Sequence, residues 1–93
     1  MSDKYPRQSE SLELNEADDG LVVYDPAQET VHHLNASAAL IFDLCDGTRD
    51  AETIARILAE AYSLDAPPRD QALAGLQDLA DRKLISWEAH RAA

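Results

Sequence analysis

The apolar pattern of this chain changes period once, at Asn35, and that change constrains the fold more than any other feature. Ahead of it, Leu12 and Leu14 flank Glu13, Leu21-Val22-Val23-Tyr24 makes a compact β-branched and aromatic run, and Thr30-Val31-His32-His33-Leu34 follows after a turn. Alternation and residue type predict three short strands. Beyond Asn35 the apolar residues recur every three or four positions, the spacing of one helix face. Strands gathered first and helices gathered second predict an α+β domain, three strands followed by three helices.

Punctuation residues divide these elements. Asn15-Glu16-Ala17-Asp18-Asp19-Gly20 turns the chain after the first strand. Asp25-Pro26-Ala27-Gln28-Glu29 turns it after the second, with Pro26 suited to the second position of a type I turn. A five-residue loop there sets Val23 opposite Val31 and Val22 opposite His32. Asn35 is placed to cap a first helix with Ala38, Ile41, Phe42 and Cys45 on one stripe, and Gly47 stops it. Asp50 caps a second helix bearing Ile54, Ile57, Leu58, Ala61 and Tyr62 at helical spacing. After the break Ser63–Pro68, Pro68 opens a third helix with Ala72, Leu73, Leu76, Leu79 and Ala80, ending near Lys83. Leu84-Ile85-Ser86-Trp87 predicts a short extended tail packed back on the core. Residues 1–10 show no periodicity and predict a flexible arm, residues 11–87 the domain, and residues 88–93 a frayed end.

A chain of 93 residues builds one core rather than two. Its 18 acidic residues outnumber its 8 Lys and Arg, a net charge of −10, and the excess holds on both sides of Asn35. Binding to nucleic acid or to an anionic membrane surface needs the opposite sign, so neither is an expected partner. The start lacks the apolar core of a signal peptide and no 18-residue apolar run exists, which points to a cytoplasmic protein with no membrane span. The single cysteine, Cys45, has no partner for an internal disulfide, in keeping with a reducing compartment.

No residue pattern supports catalysis. His32 and His33 are strand neighbours, so their side chains leave on opposite faces and cannot share one metal ion. Cys45 has no histidine nearby in sequence to act as its base and sits on an apolar stripe, where a thiol behaves as a small hydrophobe. Pairs such as Asp18-Asp19 fall in turns, where solvated charge explains them. Phosphate-cradling glycines, H-E-x-x-H and CxxC are all absent from the sequence. The chain is expected to be no enzyme and to need no cofactor.

Two features rise above that background. The third strand has a hairpin neighbour on one side only, so the other presents unpaired backbone groups on which a visiting chain can dock. Gly75 lies within the third helix, where glycine costs about 1 kcal/mol relative to alanine. It falls on the flank of the Ala72/Leu76/Leu79 stripe, where a missing side chain widens a groove.

From Leu34-Asn35 through Ile41, Leu44-Cys45-Asp46-Gly47-Thr48 and Ile54, in register and without gaps, the sequence closely resembles the signature of the PqqD-like family. These are the RiPP recognition elements, peptide chaperones of pyrroloquinoline-quinone and other modified-peptide pathways. The likeness continues through Ala55, Leu58, Leu76, Leu79 and Leu84-Ile85, over residues 10–86. Gly75 replaces a usual bulky apolar residue, and Lys83 a usual glycine.

The resemblance implies a winged-helix-like domain that takes the leader segment of a ribosomally made precursor peptide as an added strand and presents it to a modifying enzyme, often of the radical S-adenosylmethionine type. Carried onto this chain, the peptide-binding residues are Thr30, Val31, His32, His33 and Leu34 on the strand and Asp70, Leu73, Ala74 and Gln77 on the third helix. The same edge also offers a route to a homodimer. Two other readings compete. One is a winged-helix DNA-binding regulator, disfavoured because Arg69, Arg82 and Lys83 are matched by Asp70, Asp78 and Asp81. The other is a structural subunit of a larger enzyme, plugged in through the Trp87 tail.

Overall fold

The period-two half of the chain forms an antiparallel meander, the period-3.6 half forms three helices, and a two-stranded ribbon joins segments near the two ends. A computed structural model of the chain describes residues 4–89. In order its elements are β1 (Lys4–Gln8), β2 (Glu13–Ala17), β3 (Gly20–Asp25), β4 (Thr30–Asn35), α1 (Ala36–Asp43), α2 (Ala51–Ala61), α3 (Arg69–Asp81) and β5 (Ile85–Ala89). One sheet runs β2-β3-β4 and the other pairs β1 with β5. The three-stranded sheet followed by three helices is the architecture that the sequence predicts.

The β3–β4 register differs from that prediction by one residue. Asp25 Oδ1 accepts the backbone N–H of Ala27 at 3.0 Å, and Asp25 Oδ2 accepts the amide of Gln28 at 3.1 Å. This local turn keeps Asp25 in the strand, opposite Thr30, and shortens the loop to Pro26–Glu29, with Glu29 in the left-handed region at φ 54°. Val23 therefore faces His32, Val22 faces His33 and Tyr24 faces Val31. A one-residue shift exchanges the faces, so Leu34 joins the core at 2% exposure while Val31 is 66% exposed. At the tight β2–β3 turn any side chain on Gly20 would overlap the Leu34 carbonyl of β4, which restricts that position to glycine.

Residues 4–8 are not the loose arm that their polar composition predicts. They form β1, antiparallel to β5 with Pro6 opposite Trp87, so Glu88 and Ala89 also belong to a strand; residues 90–93 of the predicted frayed end lie outside the described residues. Pro6 is fully buried. Beyond the ribbon, Gln8 N–H donates to Cys45 O and Gly47 N–H to Pro6 O, each at 3.0 Å, while Ser9 N–H donates to Leu84 O at 2.9 Å. The Gln8 side-chain amide reaches Phe42 O at 2.9 Å. Partners some 40 and 80 positions away satisfy this segment, and no local periodicity announces them.

The helices cap as their sequences dictate. Asn35 Oδ1 accepts Ala38 N–H at 2.9 Å and Asp50 Oδ1 accepts Thr53 N–H at 2.8 Å. α1 stops at Asp43, so Cys45 lies just past it, fully buried, with its Sγ donating to Ile41 O at 3.1 Å. The core gathers Val23, Leu34, Phe42, Ile54, Leu58, Leu76, Leu79 and Leu84. Ile57 packs against it half-buried, whereas Tyr62 is 48% exposed. At the end of α3, Leu84 N–H donates to Leu79 O and Lys83 N–H to Ala80 O, each at 2.9 Å, with Lys83 at φ 63°. This is a Schellman cap whose left-handed position is filled by lysine instead of glycine.

Two stability tests follow. Lys83→Gly should raise unfolding stability by about 0.5–1 kcal/mol, and Gly47→Ala, at φ 84°, should lower it by a similar amount. Urea titrations decide both signs. Asp50 is held below its ordinary 3.8 chiefly by the Thr53 N–H, and Asp46 chiefly by the Thr48 hydroxyl. A depressed carboxyl stabilises the fold above its unfolded value, and that stability is lost as the pH falls below it. Asp50→Ala should thus cost about 1 kcal/mol at neutral pH and progressively less as acid protonates the wild-type cap.

Candidate functional site

β4 is the outer strand of its sheet, and among the described residues no strand pairs with its far side. In an antiparallel sheet alternate residues aim their N–H and C=O outward, so such an edge offers a row of unpaired groups. Thr30, His32 and Leu34 point toward the core side, and Val31 and His33 point away. The two histidines do diverge: His32 Nε2 meets Thr30 Oγ1 at 3.0 Å, and His33 Nε2 meets Asp19 Oδ1 at 3.1 Å.

α3 buries Ala72, Leu76 and Leu79 and leaves Asp70, Leu73, Ala74 and Gln77 exposed, Leu73 at 43%. These four form the outer shoulder on which the sequence reading placed peptide contacts. Beside them, on the flank of the helix, lies a groove of about 530 Å³. Ser37, Ala38 and Ile41 of α1 form one wall, Leu58, Tyr62 and Leu64 another, and Pro68, Gln71 and Gly75 of α3 the third. Asn35, the last residue of β4, closes the end. The shoulder residues do not line this groove. Gln71 was missed by the sequence reading, although its spacing of four from Gly75 puts both on one helix flank.

The charges near α3 are committed. Arg69 grips Glu52 of α2 with two bonds of 2.6 Å, and this pairing holds the glutamate below and the guanidinium above their ordinary values. Arg82 pairs with Asp78 at 3.2 Å. Each guanidinium already has a carboxylate partner, which weakens the electrostatic basis of a DNA-reading helix. Trp87 is not a free hook for a larger assembly, since it sits in β5 and packs against the core. Burial, with a smaller push from the Asp46 charge, drives the Cys45 thiol up to about 12. At neutral pH it carries almost no thiolate and is a packing residue.

A three-stranded antiparallel sheet followed by three helices, with the outer strand β4 ending at an apolar groove, defines the class of this protein. Residues 20–85 match the family described as coenzyme PQQ synthesis protein D (PqqD), and the chain belongs to that family. Its fold is similar to a solved structure described as "TbiB1 in Complex with the TbiA(beta) Leader Peptide", with a TM-score of 0.71, 25% sequence identity, and coverage of 86% of this chain and 94% of that one. No curated protein matches the sequence.

The environment of Cys45 has a direct readout. In the folded protein, labelling by iodoacetamide at mildly alkaline pH should run at least about 100-fold slower than in urea. Equal rates would mean that the thiol is exposed.

Proposed function

We propose that this protein binds the leader segment of a ribosomally made precursor peptide by strand addition to β4 and presents it to a modifying enzyme. The observation that carries this reading is the unpaired outer edge of Thr30–Asn35, which continues into the groove beside α3. Membership of the PqqD family and the likeness to TbiB1, whose structure holds a leader peptide, support it.

Magnitudes indicate how binding divides. A six-residue edge aims three residues outward, about six hydrogen bonds worth roughly 0.5–1.5 kcal/mol each. That sum, about 3–9 kcal/mol, is comparable to the roughly 4–15 kcal/mol lost when two molecules become one. Backbone pairing therefore sets register and orientation, and apolar contacts must supply the net affinity. Leu73 and Ala74 on the shoulder and the groove beside it offer that apolar area. His32 and His33 flank the docked strand from opposite faces, and Asp70 and Gln77 give polar contacts at its rim.

The protein acts in this scheme as a binder and not as a catalyst, in the cytoplasm where precursor peptides are made. Among the described residues no helix is long and apolar enough to cross a membrane. The receiving enzyme is a peptide-modifying enzyme, and the radical S-adenosylmethionine type that family members often serve is the first class to test. A second copy is the competing occupant of the β4 edge.

The test is an amide-resolved NMR titration with synthetic leader segments of precursor peptides encoded near this gene. Amides of residues 30–35 should shift and gain exchange protection, and Leu73→Ala should weaken binding about five- to tenfold. Shifts confined to other surfaces, or no binding by any leader, would sink the reading. Concentration-dependent shifts of the same amides without peptide would reveal the homodimer.

A further inference from the structure

We infer that Gly75 keeps open a side-chain pocket between α1 and α3, and that this pocket selects leader peptides carrying one bulky apolar residue, aliphatic or aromatic, next to the strand-forming segment. The inference rests on the strand-addition reading and adds to it the residue that sets specificity. Gly75 lies inside a regular helix with no positive φ, so backbone geometry does not call for glycine there. A Cβ at this position would come within 2.9 Å of Ile41 Cδ1 alone, the flexible tip of a side chain, so alanine is accommodated by a small shift of that tip. A longer side chain would have to project into the groove.

The walls identify the occupant. Ala38, Ile41, Leu58, Leu64 and Pro68 make an apolar lining, and about 530 Å³ lies within the range of pockets that hold small apolar ligands. The Gln71 amide and the Tyr62 hydroxyl at the rim make no hydrogen bond within the described residues, so they remain available to a visiting backbone. No Lys, Arg, Asp or Glu lines the groove, which excludes a charged anchor. Asn35 is the last residue of β4 and also lines the groove, so the pocket adjoins the end of the edge on which the leader pairs. At about 3.3 Å per residue, the anchor falls within two or three residues of the paired segment.

The experiment separates this inference from the reading beneath it. The full chain, Gly75→Leu and Ala38→Leu are titrated by NMR with N-acetyl-L-leucinamide and N-acetyl-L-phenylalaninamide, with N-acetylglycinamide as control, and then with the leader segments described above. The two apolar fragments should move signals of Ile41, Gln71 and Gly75 in the wild type, and the control should not. Either substitution, with the folded spectrum retained, should weaken the fragments and the leader by at least about tenfold. Ala38→Leu fills the pocket from the opposite wall and serves if Gly75→Leu does not fold. Silence of the groove toward both apolar fragments overturns the inference. So does a leader that moves residues 30–35 yet binds the filled variants as tightly as the wild type, an outcome that leaves strand addition standing. Fragment binding without any leader at β4 would defeat both, because the pocket would then have no peptide to select.

Discussion

The turn at Asp46-Gly47-Thr48 holds the two halves of this molecule together. Asp46 Oδ1 accepts Thr48 N–H at 2.9 Å and the Thr48 hydroxyl at 2.6 Å, and its other oxygen binds Arg49 at 2.8 Å. This carboxylate-organised turn puts Gly47 in the left-handed region and aims its N–H at Pro6 O. β1 is thereby clasped between the α1–α2 connection and β5. β1 and β5 pair with each other, and among the described residues no strand pairs with the outer side of β4. The Asp46-Gly47-Thr48 part of the family signature is, in this chain, a fastening for β1.

An open edge is a liability as well as an opportunity. Here the strand is short, carries two histidines and belongs to a chain of net charge −10, features that discourage indiscriminate pairing. The hydrogen-bonding edge is indifferent to peptide sequence because every residue offers the same backbone. In the strand-addition scheme discrimination has to come from side-chain space, and the groove beside Gly75 is the space proposed for it.

Much of the local structure was legible. Asn35 and Asp50 cap by side-chain chemistry that acts over three residues, whereas α1 ends at Asp43, four positions ahead of the Gly47 expected to stop it. The meander followed by three helices came from periodicity. The register of β4 did not, because whether Asp25 ends a strand or begins a loop depends on where its carboxylate finds donors. β1 was invisible for a different reason. Pro6 lacks an N–H and its neighbours are polar, so only the distant partners Trp87, Cys45 and Gly47 make the segment a strand.

Of the candidate site, the edge strand could be read from element order, and the shoulder residues Asp70, Leu73, Ala74 and Gln77 followed from the family resemblance, since helical spacing alone puts Leu73 on the apolar stripe. The groove could not, since Ala38, Leu58 and Gly75 are far apart in the chain and meet only when α1, α2 and α3 pack. The sequence by itself determined the meander followed by three helices, the caps at Asn35 and Asp50 and the sign of the net charge, because those depend on composition and on neighbours within a turn or two. Tertiary structure alone decided the strand register, the fate of the N-terminal segment and the shape of the pocket, because those depend on distances between residues that the chain keeps far apart.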